Sequence, residues 1–260
     1  MKLIDSHAHL DFENFHGDFD TVLRNAAEAG VEKIVNIGAS LERSHASIAL
    51  AENHDNIYAV VGVHPEEADS VDFGTIHDEL LELAKSSNRV VGVGETGLDY
   101  NHDSDKDKQK QLFQTHVDIA RHLSLPLVIH IRNGEDELAV EEAYEILKKS
   151  DYQHGVIHCF TLNADWAKRF VDLGFSLGFT GIITYKNADE IREAVVATSL
   201  ENILIETDCP FLAPQKYRGQ RNEPSYVAIV AEKIAEVKAL PLDKVAKQTT
   251  INAERLFNIA

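Results

Sequence analysis

Leu3-Ile4-Asp5-Ser6-His7-Ala8-His9 is the stretch on which the fold turns. An apolar pair opens it and two histidines at alternate positions close it. Alternate side chains of an extended chain face one way, so both imidazoles point to the same side and can share one cation. An HxH pair alone is a weak signal, and a satisfied core or surface histidine explains it as readily. Recurrence changes its weight. The run Val90 to Val93 leads to Glu95, Leu127 to Ile129 to His130, Val156-Ile157 to His158, and Ile203 to Ile205 to Asp208. Strands that go dry and then offer a histidine or carboxylate predict a site at one rim of a barrel, because a (β/α)8 barrel carries its chemistry at the carboxyl ends of its strands. Ligands on separate strands can meet there only if the sheet closes on itself.

Working outward, eight short β-rich runs alternate with helix-like stretches: Leu3–His9, Lys33–Gly38, Ile57–His64, Arg89–Glu95, Pro126–Ile131, Gly155–Cys159, Phe175–Phe179 and Ile203–Asp208. After Asp20, Val22, Leu23, Ala26, Ala27 and Val31 fall near helical spacing, with Gly30 as the break. From Lys108 to Leu123, Leu112, Phe113, Val117, Ala120 and Leu123 share one side. This alternation predicts parallel strands in an α/β fold. A doubly wound open sheet is the rival, but it usually carries a glycine-rich phosphate turn, which this chain does not show. Pro210, Pro214, Gly219 and Pro224 predict a long rim loop after the eighth strand. Two more helices follow, one bearing Val227, Val230, Ala231, Ile234 and Val237, the other running from Leu242 towards Phe257. The reading is a (β/α)8 TIM barrel with an extra C-terminal helical segment, forming a single domain over residues 1–260.

The bulk numbers agree. The 260 residues are close to the roughly 250 typical of one such barrel. With 44% hydrophobic and 26% charged residues, the chain can bury a large core. No signal-peptide pattern and no run of about 20 apolar residues is present, so no membrane is expected. Two cysteines, Cys159 and Cys209, fit a reducing cytoplasm and free thiols. Both adjoin candidate ligands, yet strand alternation turns them away, so buried thiols are expected. The net charge of −18 argues against a broad duplex-coating surface. A compact metal site on a phosphate or small substrate stays open, because bound cations invert the local field.

Glu95 sits in Val93-Gly94-Glu95-Thr96-Gly97 and can bridge two divalent ions through its two oxygens; a solvated carboxylate is the plainer reading. His130 and His158 are each, alone, more often structural; together they are natural ligands for a second ion. Asp208 is otherwise a turn cap. Glu206 and Asp5 lie two residues before Asp208 and His7, where buried charge needs a cation or a partner, and carboxylates behind metal-bound histidines meet that need. Mixed imidazole and carboxylate donors suit Zn2+ or Mn2+, with Mg2+ admissible. His64, before Pro65, is read as a substrate contact, level with a purely structural role. Arg132, Lys186, Lys216, Arg218 and Arg221 fall on rim loops and would together make an anion site, although solvated loop charge explains each one singly. Tyr100, Phe160 and Phe211 follow Glu95, His158 and Asp208. They can stack on a base or simply pack the rim.

The segments Asp5-Ser6-His7-Ala8-His9-Leu10, Gly62-Val63-His64-Pro65, Gly94-Glu95-Thr96-Gly97-Leu98-Asp99-Tyr100, His158-Cys159-Phe160 and Glu206-Thr207-Asp208-Cys209-Pro210 resemble the TatD-type deoxyribonucleases of the amidohydrolase superfamily. The likeness spans Asp5 to about Phe257. It implies a (β/α)8 barrel and a divalent-metal hydrolase, typically a Mg2+-dependent DNase acting 3′ to 5′ on single strands. By matching positions it implies His7, His9, Glu95, His130, His158 and Asp208 as metal ligands.

The expected reaction is therefore phosphodiester hydrolysis by a metal-activated water at two ions. His7, His9 and Asp208 hold one, His130 and His158 the other, and Glu95 bridges. Asp208 also accepts the water's proton, while His64, Arg132 and Arg218 contact the substrate. Single-stranded DNA is the expected partner, with no obligate protein partner. A small-molecule amidohydrolase or esterase of the same superfamily is the enzymatic rival, which the charge of −18 suits well. The rival from another class is a non-catalytic metal-bound nucleic-acid adaptor, which the six-ligand set disfavours.

Overall fold

In the computed structural model, which describes residues 1–260, the strands are β1 (Leu3–Ala8), β2 (Val31–Ile37), β3 (Ile57–Val61), β4 (Val90–Asp99), β5 (Leu127–Arg132), β6 (Gly155–Ile157), β7 (Ser176–Phe179) and β8 (Ile203–Ile205). They lie in one sheet in that order. Between and after them come α1 (Phe19–Glu28), α2 (Leu41–Asn53), α3 (Ile76–Ser86), α4 (Lys106–Leu123), α5 (Leu138–Lys149), α6 (Ala164–Leu173), α7 (Asp189–Ala197), α8 (Val227–Lys238) and α9 (Leu242–Phe257). One helix follows each parallel strand, which is the (β/α)8 barrel, and α9 is the extra C-terminal helix. No helix is long and apolar enough to cross a membrane. The chain groups into two compact units, Met1–Asn36 with Cys159–Asp172 and Ser176–Ala260, and Ile37–His158 with Leu173–Phe175.

In the first unit β1 is buried along its whole length and pairs with β2. Continuous burial is what a parallel strand covered on both faces requires. On its other side Ala8 bridges Cys209 in parallel, just past β8, so the chain's first and last strands are neighbours. The helix α9 lies on β1 and β8, burying Val245, Ala246, Thr249, Asn252, Ala253, Leu256 and Phe257 at helical spacing. Its Asn252 amide donates to the Leu200 and Ile203 carbonyls, both at 2.8 Å, at the entry to β8.

In the second unit β3, β4, β5 and β6 pair in parallel. The helix α4 starts where the Asp105 carboxylate accepts from the Asp107 and Lys108 amides, which satisfies donors that a first turn leaves open. It buries Leu112, Phe113, His116, Val117 and Ala120. At the opposite end of β4 from the candidate site, the Arg89 guanidinium group donates to the Ala51, His54, Asp55 and Ile57 carbonyls. That end of a barrel serves stability.

Strand β4 departs from the sequence expectation. It runs on past Glu95 to Asp99, so Glu95 lies within the strand and does not end it. The pairing with β5 passes from Gly94↔Val128 to Thr96↔Ile129, leaving Glu95 as the extra residue of a bulge. A bulge re-aims one side chain without ending the strand. Gly94 and Gly97 have φ of +149° and +136°. A Cβ there would strike the Val128 and His130 carbonyl oxygens, so glycine is what lets β4 and β5 approach. Conversely β3, β6 and β8 stop early, and His64, His158 and Asp208 stand in the first residues beyond them.

Candidate metal centre

The first unit brings His7, His9 and Asp208 together. His7 Nε2 lies 3.2 Å from His9 Nε2, and Asp208 Oδ1 lies 3.5 Å from the first and 3.3 Å from the second. Backbone bonds fix this. The Asp208 amide donates to the His7 carbonyl at 2.9 Å, and the His9 amide to the Cys209 carbonyl at 2.8 Å. Asp208 adopts φ +58°, a left-handed conformation that aspartate tolerates better than most residues. Behind the cluster, Asp5 is fully buried. Its carboxylate accepts from the His7 amide (3.3 Å), the Thr207 amide (2.9 Å) and the Thr207 hydroxyl (2.6 Å). Asp5 therefore braces the backbone of both ligand segments and not the imidazole. Burial pushes its carboxyl up to about 8 against those three donors. Glu206, also buried, accepts from the Ser6 hydroxyl and the Cys159 amide. A Cβ at position 178 would strike its carboxylate, so Gly178 makes the space.

The second unit gathers imidazoles around Glu95. Its Oε1 accepts from His130 Nδ1 at 2.9 Å, lies 3.1 Å from His158 Nε2, and stands 3.6 Å from His64 Nε2. The other nitrogen of His130 meets the buried Asp99 Oδ2 at 3.1 Å. Burial alone would raise the Glu95 carboxyl, yet the His158 and His64 rings hold it well below the carboxylate range. Burial alone would lower His130, but carboxylates on both ring nitrogens push it up to about 9. His64 goes the other way, to about 3, through burial and the charge of His130. Without an ion, His130 is the cation that balances Glu95 and Asp99.

Spacing supplies a test of fit. Donors about 2.0–2.2 Å from one ion lie roughly 2.9–3.5 Å apart in tetrahedral or octahedral arrangements. The separations within His7, His9 and Asp208, and those of His130 and His158 from Glu95, fall in that range. Each unit thus presents a nitrogen-and-carboxylate cluster suited to a divalent ion.

The remaining expectations divide. His64 stands beside Glu95, its ring centroid 4.5 Å from that of His130. Arg132 is 54% exposed, with a guanidinium nitrogen 4.0 Å from Asp99. Arg218 is exposed and lies over the Tyr185 ring at 4.8 Å. Arg221 is committed to Asp18, with bonds of 2.8 and 2.7 Å, which removes it from any anion site. Cys209 is buried as expected, whereas Cys159, at φ +45°, is only half-buried because β6 has already ended. Two residues carry more than their sequence context suggested. Asp99 receives His130, and Gln109 on α4 pins the Asp99 backbone by accepting from its amide at 2.8 Å and donating to its carbonyl at 2.9 Å. In the sequence Asp99 lies in the Gly94–Tyr100 segment that carries the family resemblance, four residues after Glu95.

A barrel with histidine–carboxylate clusters at its strand ends has the layout of a metal-dependent hydrolase. The family described as TatD related DNase matches residues 4–258, and the chain belongs to that family. It is 40% identical to the uncharacterized metal-dependent hydrolase YabD of Bacillus subtilis over 260 residues, covering 99% of each chain. It is 37% identical to the uncharacterized metal-dependent hydrolase YcfH of Escherichia coli, covering 100% of this chain and 97% of that one. Among solved structures, the TatD homologue YjjV of Escherichia coli superposes with a TM-score of 0.93 at 32% identity, over 99% of this chain and 98% of the other.

Proposed function

We propose that this hydrolase is a deoxyribonuclease that removes nucleotides from the 3′ end of single-stranded DNA. The observation that carries the reading is the pair of donor clusters, His7–His9–Asp208 and Glu95–His130–His158, at ligand spacing in a chain of the TatD family. In this proposal His7, His9 and Asp208 would hold one ion, and Glu95, His130 and His158 would hold a second. Divalent ions so held would acidify a water and neutralise charge on the leaving oxygen. The family resemblance favours Mg2+, and the imidazole-rich donor set suits Zn2+ or Mn2+. Asp208 orients the attacking water and accepts its proton. Arg132 and Arg218 carry the phosphate's charge as bidentate donors, and His64, neutral and beside Glu95, donates to a substrate oxygen.

The test is metal-stripped protein with end-labelled single-stranded DNA, given Mg2+, Mn2+ or Zn2+ in turn, beside a Glu95→Ala/His130→Ala variant. Metal-dependent stepwise shortening from the 3′ end, absent in the variant, is expected. The charge of −18 favours a second reading, hydrolysis of a small ester or amide. Turnover of a chromogenic ester by metal-loaded protein that leaves DNA intact would establish that reading instead.

A further inference from the structure

Three aromatic residues follow the candidate ligands in sequence, and the fold treats them differently. Tyr100 is 7% exposed, with its hydroxyl on Glu142 and the Lys106 ammonium over its ring. Phe160 is 2% exposed and packs edge-on against Phe179. Phe211 alone stands in water, 49% exposed. Its ring is 5.6 Å from Phe12 at 90° and 6.4 Å from His9, while Phe12 is itself 5.2 Å from His9. An exposed apolar ring needs no explanation when it stands alone on a mobile surface. This one is neither isolated nor loosely held.

Its backbone is clamped. The Phe211 amide donates to the Asp208 carbonyl at 2.9 Å, and its carbonyl accepts from the Asn222 side-chain amide at 2.6 Å. Asn222 is fully buried, and the same amide group donates to the Thr207 carbonyl at 2.8 Å. Its own backbone amide donates to the Pro210 carbonyl at 3.0 Å. Asn222 therefore staples the segment bearing Asp208 and Phe211 into one rigid turn. Half of this apolar ring stays wet on a fixed backbone, so folding gains only part of what burying it would give. The same loop carries Lys216 and Arg218, both exposed. A preset ring, exposed cations on the same loop and a neighbouring donor for a metal make the pattern by which proteins hold single-stranded nucleic acid: the base stacks and the backbone is tracked by charge.

We infer that Phe211, braced by Phe12 and His9, is a stacking subsite for the planar base of a nucleotide whose phosphate lies at the His7–His9–Asp208 cluster. The inference rests on the proposed function and adds to it a residue that recognises the base without reading its identity, because every base has a π-face. Phe211 contacts neither the reacting phosphate nor a metal; it sets where the strand lies.

The experiment uses the full chain loaded with Mg2+. Its probe is single-stranded DNA carrying 2-aminopurine at the 3′-terminal or the penultimate nucleotide, with phosphorothioate linkages to keep it uncut. Stacking quenches 2-aminopurine. Wild-type protein should quench one of the two positions; Phe211→Ala should abolish the quenching and weaken binding roughly ten- to a hundredfold, and Phe211→Tyr should restore both. Wild type and Phe211→Ala should bind an oligonucleotide abasic at that position equally. Equal quenching by wild type and Phe211→Ala, or wild-type binding without quenching at either position, would overturn the inference. The uncapped phosphodiester strand, incubated in parallel, separates the two readings. Quenching without shortening would overturn the nuclease activity and leave the ring subsite standing.

Discussion

The two ligand clusters reach similar geometry by different routes. In the first unit the ligands come from two short segments, His7-Ala8-His9 and the turn at Asp208, held by direct backbone bonds between them. Behind them, burial drives the Asp5 carboxyl upward, and Glu206 accepts from the Ser6 hydroxyl and the Cys159 amide. In the second unit the ligands come from β4, β5 and the end of β6, and a bulge aims Glu95. There His130 sits between Glu95 and Asp99, and those two carboxylates push its pKa up to about 9. An ion binding through His130 must compete with its proton. Sequence adjacency builds one cluster and scaffold geometry the other, so substitutions should separate them.

Asp208→Asn should give the largest effect. It keeps a donor oxygen but removes the proton acceptor, and turnover should fall by roughly 10²–10⁴ with bound metal retained; kinetics beside metal content measured by mass spectrometry checks this. In the second unit the scaffold is the sensitive part. Gly97→Ala should lose about 3 kcal/mol or more in urea unfolding, because a Cβ there meets the His130 carbonyl at a φ of +136°. Gly17→Ala, with open space around it, should stay within about 0.5 kcal/mol.

His116 offers a pH test of the same scaffold. Buried on α4, it accepts from the Val63 amide at 3.0 Å, one residue before His64, and its other nitrogen bonds the Leu112 carbonyl. Burial lowers it from 6.5 to about 4. As pH falls, the unfolded chain takes up this proton first, so His116's contribution is intact above pH 6.5 and is lost between 6.5 and about 4. The loss should approach about 3 kcal/mol, and His116→Gln should flatten that part of the stability curve. Asp99→Asn should act more gently, weakening ion binding about 10- to 100-fold. Below pH about 9 an ion bound through His130 must expel its proton, so affinity should fall about tenfold per unit. Losing Asp99's charge lowers His130 and should shift the onset of that slope to lower pH, which calorimetry of ion binding would read.

The eight strands and both terminal helices were legible because apolar runs and helical spacing report burial directly. His7 and His9 were legible because they stand two residues apart where an apolar run ends, at the carboxyl end of β1. The extension of β4 was not, since Gly94 and Gly97 signal a break in isolation and close packing only beside β5. Asp99, Gln109 and His116 were illegible for a related reason. Their roles depend on partners 10 to 53 residues away, which no local pattern announces. Arg221 was indistinguishable from Arg218 until Asp18 was found holding it.

The most direct test of the central claim is anomalous diffraction from crystals soaked in Mn2+. Two ordered peaks are predicted, one among His7, His9 and Asp208 and the other among Glu95, His130 and His158. Folded protein showing no peak at either cluster, or manganese bound only elsewhere, would contradict the account.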